Sequence, residues 1–126
     1  MSTNSSIAAV LADGSVAQVF CHWDGGLTFN GKILFEHYTD LAKIDELLVK
    51  GNLSSLAETV EECRFNTPYS KCNIFESAED YRSASFINEE FNYLFQDGEW
   101  FVKYKNSNAF ADLSFELELN NIIDFG

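Results

Sequence analysis

Two Asp-Gly dipeptides, each between short apolar runs, limit the possible folds of this chain more than any other feature. The first, Asp13-Gly14, separates runs at 7–11 and 16–22, and the second, Asp97-Gly98, lies between two aromatic runs. Asp-Gly at such a position is a strong short-range signal for a β-hairpin, because both central residues of a type I′ turn need positive φ. The sequence therefore predicts two hairpins, one in each half of the chain.

Apolar residues at helical spacing follow the first hairpin. This periodicity predicts two short helices at 30–38 and 40–50, the second with Asp40 near its N-cap and Gly51 just past its end. Ser77 followed by Asp80 resembles a capping box and predicts a third helix near 78–84.

The remaining segments give weaker patterns. Residues 54–56 are interpreted as a turn or one extra turn of helix, 60–65 as compatible with a strand, and 66–73 as a loop. The tail at 112–123 fits both periods: alternate leucines and phenylalanine suit a strand, while Phe115, Leu119 and Ile122 form a helical stripe. A capping Asp112 favours the helix slightly.

These elements predict one α+β domain over residues 1–126, an antiparallel sheet of four to five strands with two to three helices packed on one face. Hydrophobic residues make up 46% of the chain, which is enough for one core and excludes the disordered class. The apolar runs are too short to span a bilayer, and the polar N-terminus does not resemble a secretory signal. We therefore expect a location in the cytoplasm.

The net charge is the feature of the sequence that indicates most about function. Twenty acidic residues against eight basic ones give a formal net charge of -12 at pH 7. Residues 76–99 contribute seven carboxylates against Arg82 alone. Such a surface repels nucleic acid and anionic membranes and attracts basic proteins. The candidate partner-binding residues are these acids with two aromatic anchors: Glu76, Glu79, Asp80, Tyr81, Phe86, Glu89, Glu90, Asp97 and Glu99. The alternative is that the charge serves solubility alone.

Reactive side chains give no catalytic motif. The segment Cys21-His22-Trp23-Asp24-Gly25 is the densest group, but neighbours on a strand point to opposite faces, so Cys21 and His22 do not easily share a site. The cysteine and histidine spacings also lack the pairs typical of structural zinc. We expect no enzyme activity, cofactor or metal, and an odd number of cysteines indicates reduced thiols, with a Cys63–Cys72 bridge as the alternative.

That same segment carries a resemblance. Together with the residues that follow it and the hairpin near 91–102, it resembles a group of small phage and prophage proteins of unassigned activity that share a C-H-W-D-G element. The matching residues are Cys21, His22, Trp23, Asp24, Gly25, Gly31, Leu34, Tyr38, Leu47, Gly51, Ser54 and Leu56. The chain departs from the group at Gly26, where an aromatic residue is usual, and at 66–75, where a basic segment is expected. The resemblance implies a phage origin, where small acidic proteins often inhibit host defence.

The leading hypothesis is a phage-encoded, non-enzymatic inhibitor of a host nucleic-acid-binding defence system, similar to an anti-CRISPR protein. It would act as a DNA mimic in the cytoplasm of the infected bacterium, as a monomer or dimer. A CRISPR effector complex is the expected partner and a restriction enzyme the next, with no direct binding to nucleic acid. The alternatives are a sponge or hydrolase for a nucleotide immune signal and a virion assembly protein.

Overall fold

Both hairpins form where the Asp-Gly dipeptides predict them. The first is closed by a five-residue loop, 11–15, in which Gly14 but not Asp13 has positive φ, so only the second has the predicted two-residue turn. In the computed structural model, which describes residues 3–66, 72–84 and 89–123, β1 (Ser5–Val10) pairs antiparallel with β2 (Val16–Cys21). Two later strands, Phe91–Gln96 and Glu99–Tyr104, pair in the same way around a two-residue turn. Asp97 and Gly98 of that turn have φ of 53° and 80°, as a type I′ turn requires.

Four further strands are only two or three residues long. In chain order they are β3 (Leu53–Ser55), β4 (Arg64–Phe65), β5 (Asn73–Phe75) and, after the hairpin strands β6 (Phe91–Gln96) and β7 (Glu99–Tyr104), β8 (Ala111–Asp112). Residues 54–56, predicted as a turn or a turn of helix, thus lie largely in β3, and the strand suggested at 60–65 is reduced to β4. The loop predicted at 66–73 lies partly outside the described residues, and its last residue begins β5.

The prediction of an antiparallel sheet of four to five strands was wrong. The described strands form one mixed sheet of eight, in the order β4-β3-β2-β1-β6-β7-β8, with β5 beside β2. The two hairpins meet through their first strands, β1 and β6, and these run parallel from Ser5 opposite Phe91 to Ala9 opposite Phe95. The error has two physical reasons. Pairing between segments that are distant in the chain does not affect local sequence periodicity, and strands of two or three residues are too short to show a period.

The described residues form four short α-helices, where two to three were predicted. A π-helical turn, Leu27–Gly31, leads into α1 (Lys32–His37), and α2 (Leu41–Val49) begins after Asp40, whose carboxylate accepts from the Lys43 N–H. Helix α3 (Ala78–Ser83) is capped by Ser77, and α4 (Leu113–Leu119) is capped by Asp112. The predicted helices and caps are therefore confirmed, including the helix preferred for the tail.

The prediction that the helices pack on one face of the sheet was wrong. Side chains of β1 alternate between two clusters: Ile7 packs in the larger core with residues of α1, α2 and α4, whereas Ala8 packs in a smaller core with Tyr81 of α3. Because neighbouring residues on a strand point to opposite faces, α3 must lie on the face opposite the other three helices. No helix in the described ranges is long and apolar enough to cross a membrane.

Candidate functional site

The parallel pairing of β1 with β6 puts both hairpin turns at the same end of the sheet. Asp13, in the turn after β1, and Asp97, in the turn after β6, therefore lie at one end. Strand β5 runs antiparallel to β2 and finishes with Phe75 opposite Val16, which brings the chain after β5 to that end as well. We call this end the turn edge and define it by six exposed acids: Asp13, Glu76, Glu79, Asp80, Asp97 and Glu99.

Helix α3 supplies two of these acids and is held firmly. Ser77 Oγ accepts from the Asp80 N–H at 3.1 Å, and Glu79 and Asp80 occupy the first helical turn, where the helix dipole favours negative charge. Tyr81 anchors the helix in the smaller core. The carboxylates of α3 are thus presented from an ordered element.

Arg82, the basic side chain within residues 76–99, does not pair directly with a carboxylate of the turn edge. The Arg82 guanidinium donates to Gln96 Oε1 at 2.9 Å and lies 4.8 Å from the centre of the Phe110 ring. It forms no ion pair with a carboxylate of residues 3–66, 72–84 or 89–123. Hydrogen bonds from Ser15, through its hydroxyl at 2.6 Å and its N–H at 2.9 Å, lower the pKa of the Asp13 carboxyl, which favours its ionised form.

The spacing of the acids follows from the sheet. Neighbouring strands lie about 4.8 Å apart, so acids that follow strands one to three places apart are separated by about 5–15 Å. Asp97 lies in the turn after β6, and Glu99 begins the adjacent strand β7. Glu76 lies beyond β5, three strands from β6. The turn edge can therefore contact a cationic groove at several points at once.

The predicted acids do not all lie at this edge. Glu89 and Glu90 precede β6, whereas Asp97 follows it, and a six-residue strand is about 20 Å long. Burial raises the pKa of Glu89, which is only half exposed, and nearby Lys105 opposes the shift. The structure thus brings five of the seven predicted acids together and places the other two at the opposite end.

The two predicted aromatic anchors have different outcomes. Tyr81 is 0% exposed, so it belongs to the core and is not a partner contact, contrary to prediction. Burial raises its pKa to about 12, with Ser6 and Gln18 opposing the shift. Phe86 lies outside the described residues. Asp13 was missed by the sequence reasoning, although its place in an Asp-Gly turn already put it at a hairpin tip.

Residues 21–25 form the end of β2 and a loop whose backbone is held by hydrogen bonds. Cys21 is buried, and its Sγ lies 3.4 Å from Asn30 Nδ2, which donates to it, and 3.5 Å from the Trp23 carbonyl oxygen. The Tyr93 hydroxyl donates to the Gly25 carbonyl at 2.7 Å. Burial raises the pKa of the Cys21 thiol, which disfavours the nucleophilic thiolate. These contacts fix the course of the loop.

Other metal-ligating side chains are dispersed. His37 Nε2 lies 3.5 Å from Glu58 Oε1, and the exposed His22 packs edge-to-face on Trp23. Within the described ranges, no group of three or more His, Cys, Asp or Glu side chains could hold a metal ion.

Thiol labelling tests this account of the cysteines. Cys21 and Cys63 are buried, Cys72 is half exposed, and all three are free thiols. Because reaction needs an accessible thiolate, we expect a disulfide reagent at neutral pH to label Cys72 promptly and the other two only after unfolding. Mass spectrometry of digested protein identifies the labelled site, and a denatured sample, with three labels, is the control. Prompt labelling of native Cys21 would contradict the structural role.

Comparisons with protein families, with curated proteins and with solved structures find no match. The resemblance to phage proteins and the function that it implies therefore stay predictions from the residues.

Proposed function

We propose that this chain is a non-enzymatic binding protein whose turn edge occupies a basic, nucleic-acid-binding surface of another protein. The observation that carries the proposal is the convergence of six exposed carboxylates at one end of the sheet, where Arg82 contacts a neutral amide and a ring. Carboxylates at such spacings present negative charges to lysine and arginine much as phosphates do.

Rigidity favours this function over a role for the charge in solubility alone. The acids sit on a two-residue hairpin turn, on a turn closed by Asp13 and Ser15, and on a capped helix. A rigid array loses less conformational entropy on binding than a flexible acidic tail does. Its field would also accelerate association with a basic partner and make that association sensitive to salt.

The proposed partner is a host defence protein that binds nucleic acid, with a CRISPR effector complex first and a restriction enzyme second. The chain would be phage-encoded and act in the cytoplasm of the infected bacterium by competing with nucleic acid for the basic surface. Support comes from the sign and arrangement of the charges and from the resemblance carried by the C-H-W-D-G segment.

Comparative capture tests the proposal. The tagged protein is used as bait in bacterial lysate beside a Glu76→Lys/Glu99→Lys variant and a control, Glu46→Lys/Glu61→Lys, which makes the same charge change at exposed sites outside the turn edge. We expect a nucleic-acid-binding protein to be captured by the wild type and the control, and about tenfold less by the edge variant. Raising the salt concentration from about 0.15 M to about 0.5 M should release it.

Two results would contradict the proposal. One is equal loss of the captured protein with both variants, since it would mean that only net charge matters. The other is unchanged capture by the edge variant. Thermal unfolding of all three proteins verifies that the substitutions leave the fold intact.

A further inference from the structure

A second surface lies at the opposite end of the sheet from the turn edge. It is an open groove with a volume of about 930 Å³. One wall is the loop and π-helical turn after β2, another is the start of β6, and the third is the end of α4. We call it the α4 groove and define it by the residues on which the argument depends: Asp24, Phe29, Glu90, Phe91, Glu116 and Leu119.

Exposed apolar side chains mark the α4 groove as a binding surface. Phe29 is 56% exposed and Leu119 is 63% exposed, and they come from walls that are in contact with each other. Phe91, partly buried against the larger core, also lines the groove. Large apolar side chains gathered at one exposed site, with polar groups around them, are typical of surfaces that bind another molecule.

The charged residues that line the groove determine whether a cationic or an anionic ligand is favoured. Three carboxylates line it: Asp24, Glu90 and Glu116. The Tyr104 hydroxyl donates to Glu116 Oε1 at 2.6 Å, so this carboxylate is held in place with its second oxygen outside that hydrogen bond. The groove also adjoins the C-terminal end of α4, where the helix dipole is negative. An anionic ligand is therefore disfavoured and a cationic one is favoured.

The wall that carries Asp24 and Phe29 is preorganised. The Asn30 N–H donates to the Asp24 carbonyl at 3.0 Å, and the Gly25 N–H donates to the Thr3 carbonyl at 2.8 Å. With the Tyr93 bond to Gly25, these contacts fix the loop before any ligand arrives. Binding to a preformed wall costs less ordering of the protein.

We propose that the α4 groove binds an extended segment of a partner protein in which an apolar side chain is flanked by lysine or arginine. The apolar side chain would lie between Phe29 and Leu119, and the flanking cations would face Glu90 and Glu116. An open groove of this volume accommodates several side chains of a peptide better than a small ligand that must be largely enclosed. The site is independent of the turn edge and of the function proposed for it.

A bead-displayed library of random heptapeptides, selected against the intact chain, tests the inference. We expect the enriched peptides to carry an aromatic or aliphatic residue next to lysine or arginine. Their affinity should fall about tenfold in a Phe29→Ser/Leu119→Ser variant and about threefold in Glu116→Gln, which keeps an oxygen for Tyr104. The Glu76→Lys/Glu99→Lys variant should bind the same peptides normally, which separates this site from the turn edge.

The inference is overturned by a lack of enrichment, by enriched peptides without basic residues, or by affinities that the groove variants leave unchanged. Sedimentation of the free protein provides a further check. Dimers that form in the wild type and are lost in the Phe29→Ser/Leu119→Ser variant would assign the groove to a second copy of the chain and also overturn it.

Discussion

Replacing Leu117 by alanine is expected to destabilise the protein by about 3 kcal/mol, because the side chain is 0% exposed within the larger core and its loss leaves a cavity. For a chain of this size, that loss lowers the melting temperature by roughly 10 °C. Leu119→Ala is the matched control: it lies two residues further along the same helix but is 63% exposed, so we expect a change within about 0.5 kcal/mol. Urea unfolding followed by circular dichroism measures both.

This comparison also tests which face of α4 is buried. The helical stripe visible in the sequence is Phe115, Leu119 and Ile122, yet Phe115 and Leu119 are exposed, and the buried residues are Leu113 and Leu117. Equal destabilisation by the two alanine substitutions, or a larger loss at Leu119, would contradict the orientation of the helix and with it the exposed apolar wall of the α4 groove.

The second large effect is expected at Gly25. A Cβ added there would lie 2.7 Å from the Asn4 carbonyl oxygen and 2.9 Å from Ser5 Cβ. Since the nearest atom belongs to the backbone, relief requires the loop or the start of β1 to move, and we expect Gly25→Ala to cost about 2–3 kcal/mol. The shift would also disturb the Gly25 carbonyl that accepts from Tyr93.

Gly26 is the matched control for this substitution. A Cβ at Gly26 would first meet the Phe91 ring at 3.9 Å, which is ordinary van der Waals contact, and its φ of -70° suits alanine. We therefore expect Gly26→Ala to leave the free energy of unfolding within about 0.5 kcal/mol of the wild type. If both substitutions are tolerated equally, the loop is less tightly held than the contacts of Gly25 indicate.

Local signals in the sequence were enough to predict part of the fold. The two hairpins depend on Asp-Gly turns, and three helix starts depend on capping by Asp40, Ser77 and Asp112, all of which act within a few residues. The short strands β3, β5 and β8 could not be predicted in this way, because strands of two or three residues have no measurable periodicity. Their existence depends on partners elsewhere in the chain.

The arrangement of the two hairpins could not be predicted from local sequence either. Whether β1 and β6 pair, and in which direction, depends on long-range packing and not on either hairpin alone. The side of the sheet taken by α3 depends on Tyr81 and on the neighbours that it meets, Ala8 and Leu94. Sequence periodicity shows that a helix has an apolar face but does not say which face of a sheet receives it.

Long-range strand pairing also explains why the candidate site was only partly predicted. The total charge and the density of acids at 76–99 can be counted from the sequence. Counting acids along the chain does not show that a strand within 76–99 carries some of them to opposite ends of the sheet. Strand β6 separates Glu89 and Glu90 from Asp97, while the parallel pairing of β1 brings Asp13 beside that turn. The turn edge is therefore a property of the sheet and not of one acidic segment.

We propose that the carboxylates of the turn edge act together as one negative surface. Nuclear magnetic resonance relaxation of backbone amide protons, in the presence of a cationic and then a neutral nitroxide of similar size, shows whether they do. If they do, the ratio of the two enhancements will be about threefold larger at Asp13, Glu79 and Gly98 than at Lys50 and Arg64, which lie near β4 and outside the turn edge. A threefold ratio corresponds to a difference in surface potential of about one kT per unit charge. Equal ratios at the two sets of amides would mean that the negative charge is spread evenly, and the function proposed for the turn edge would fail.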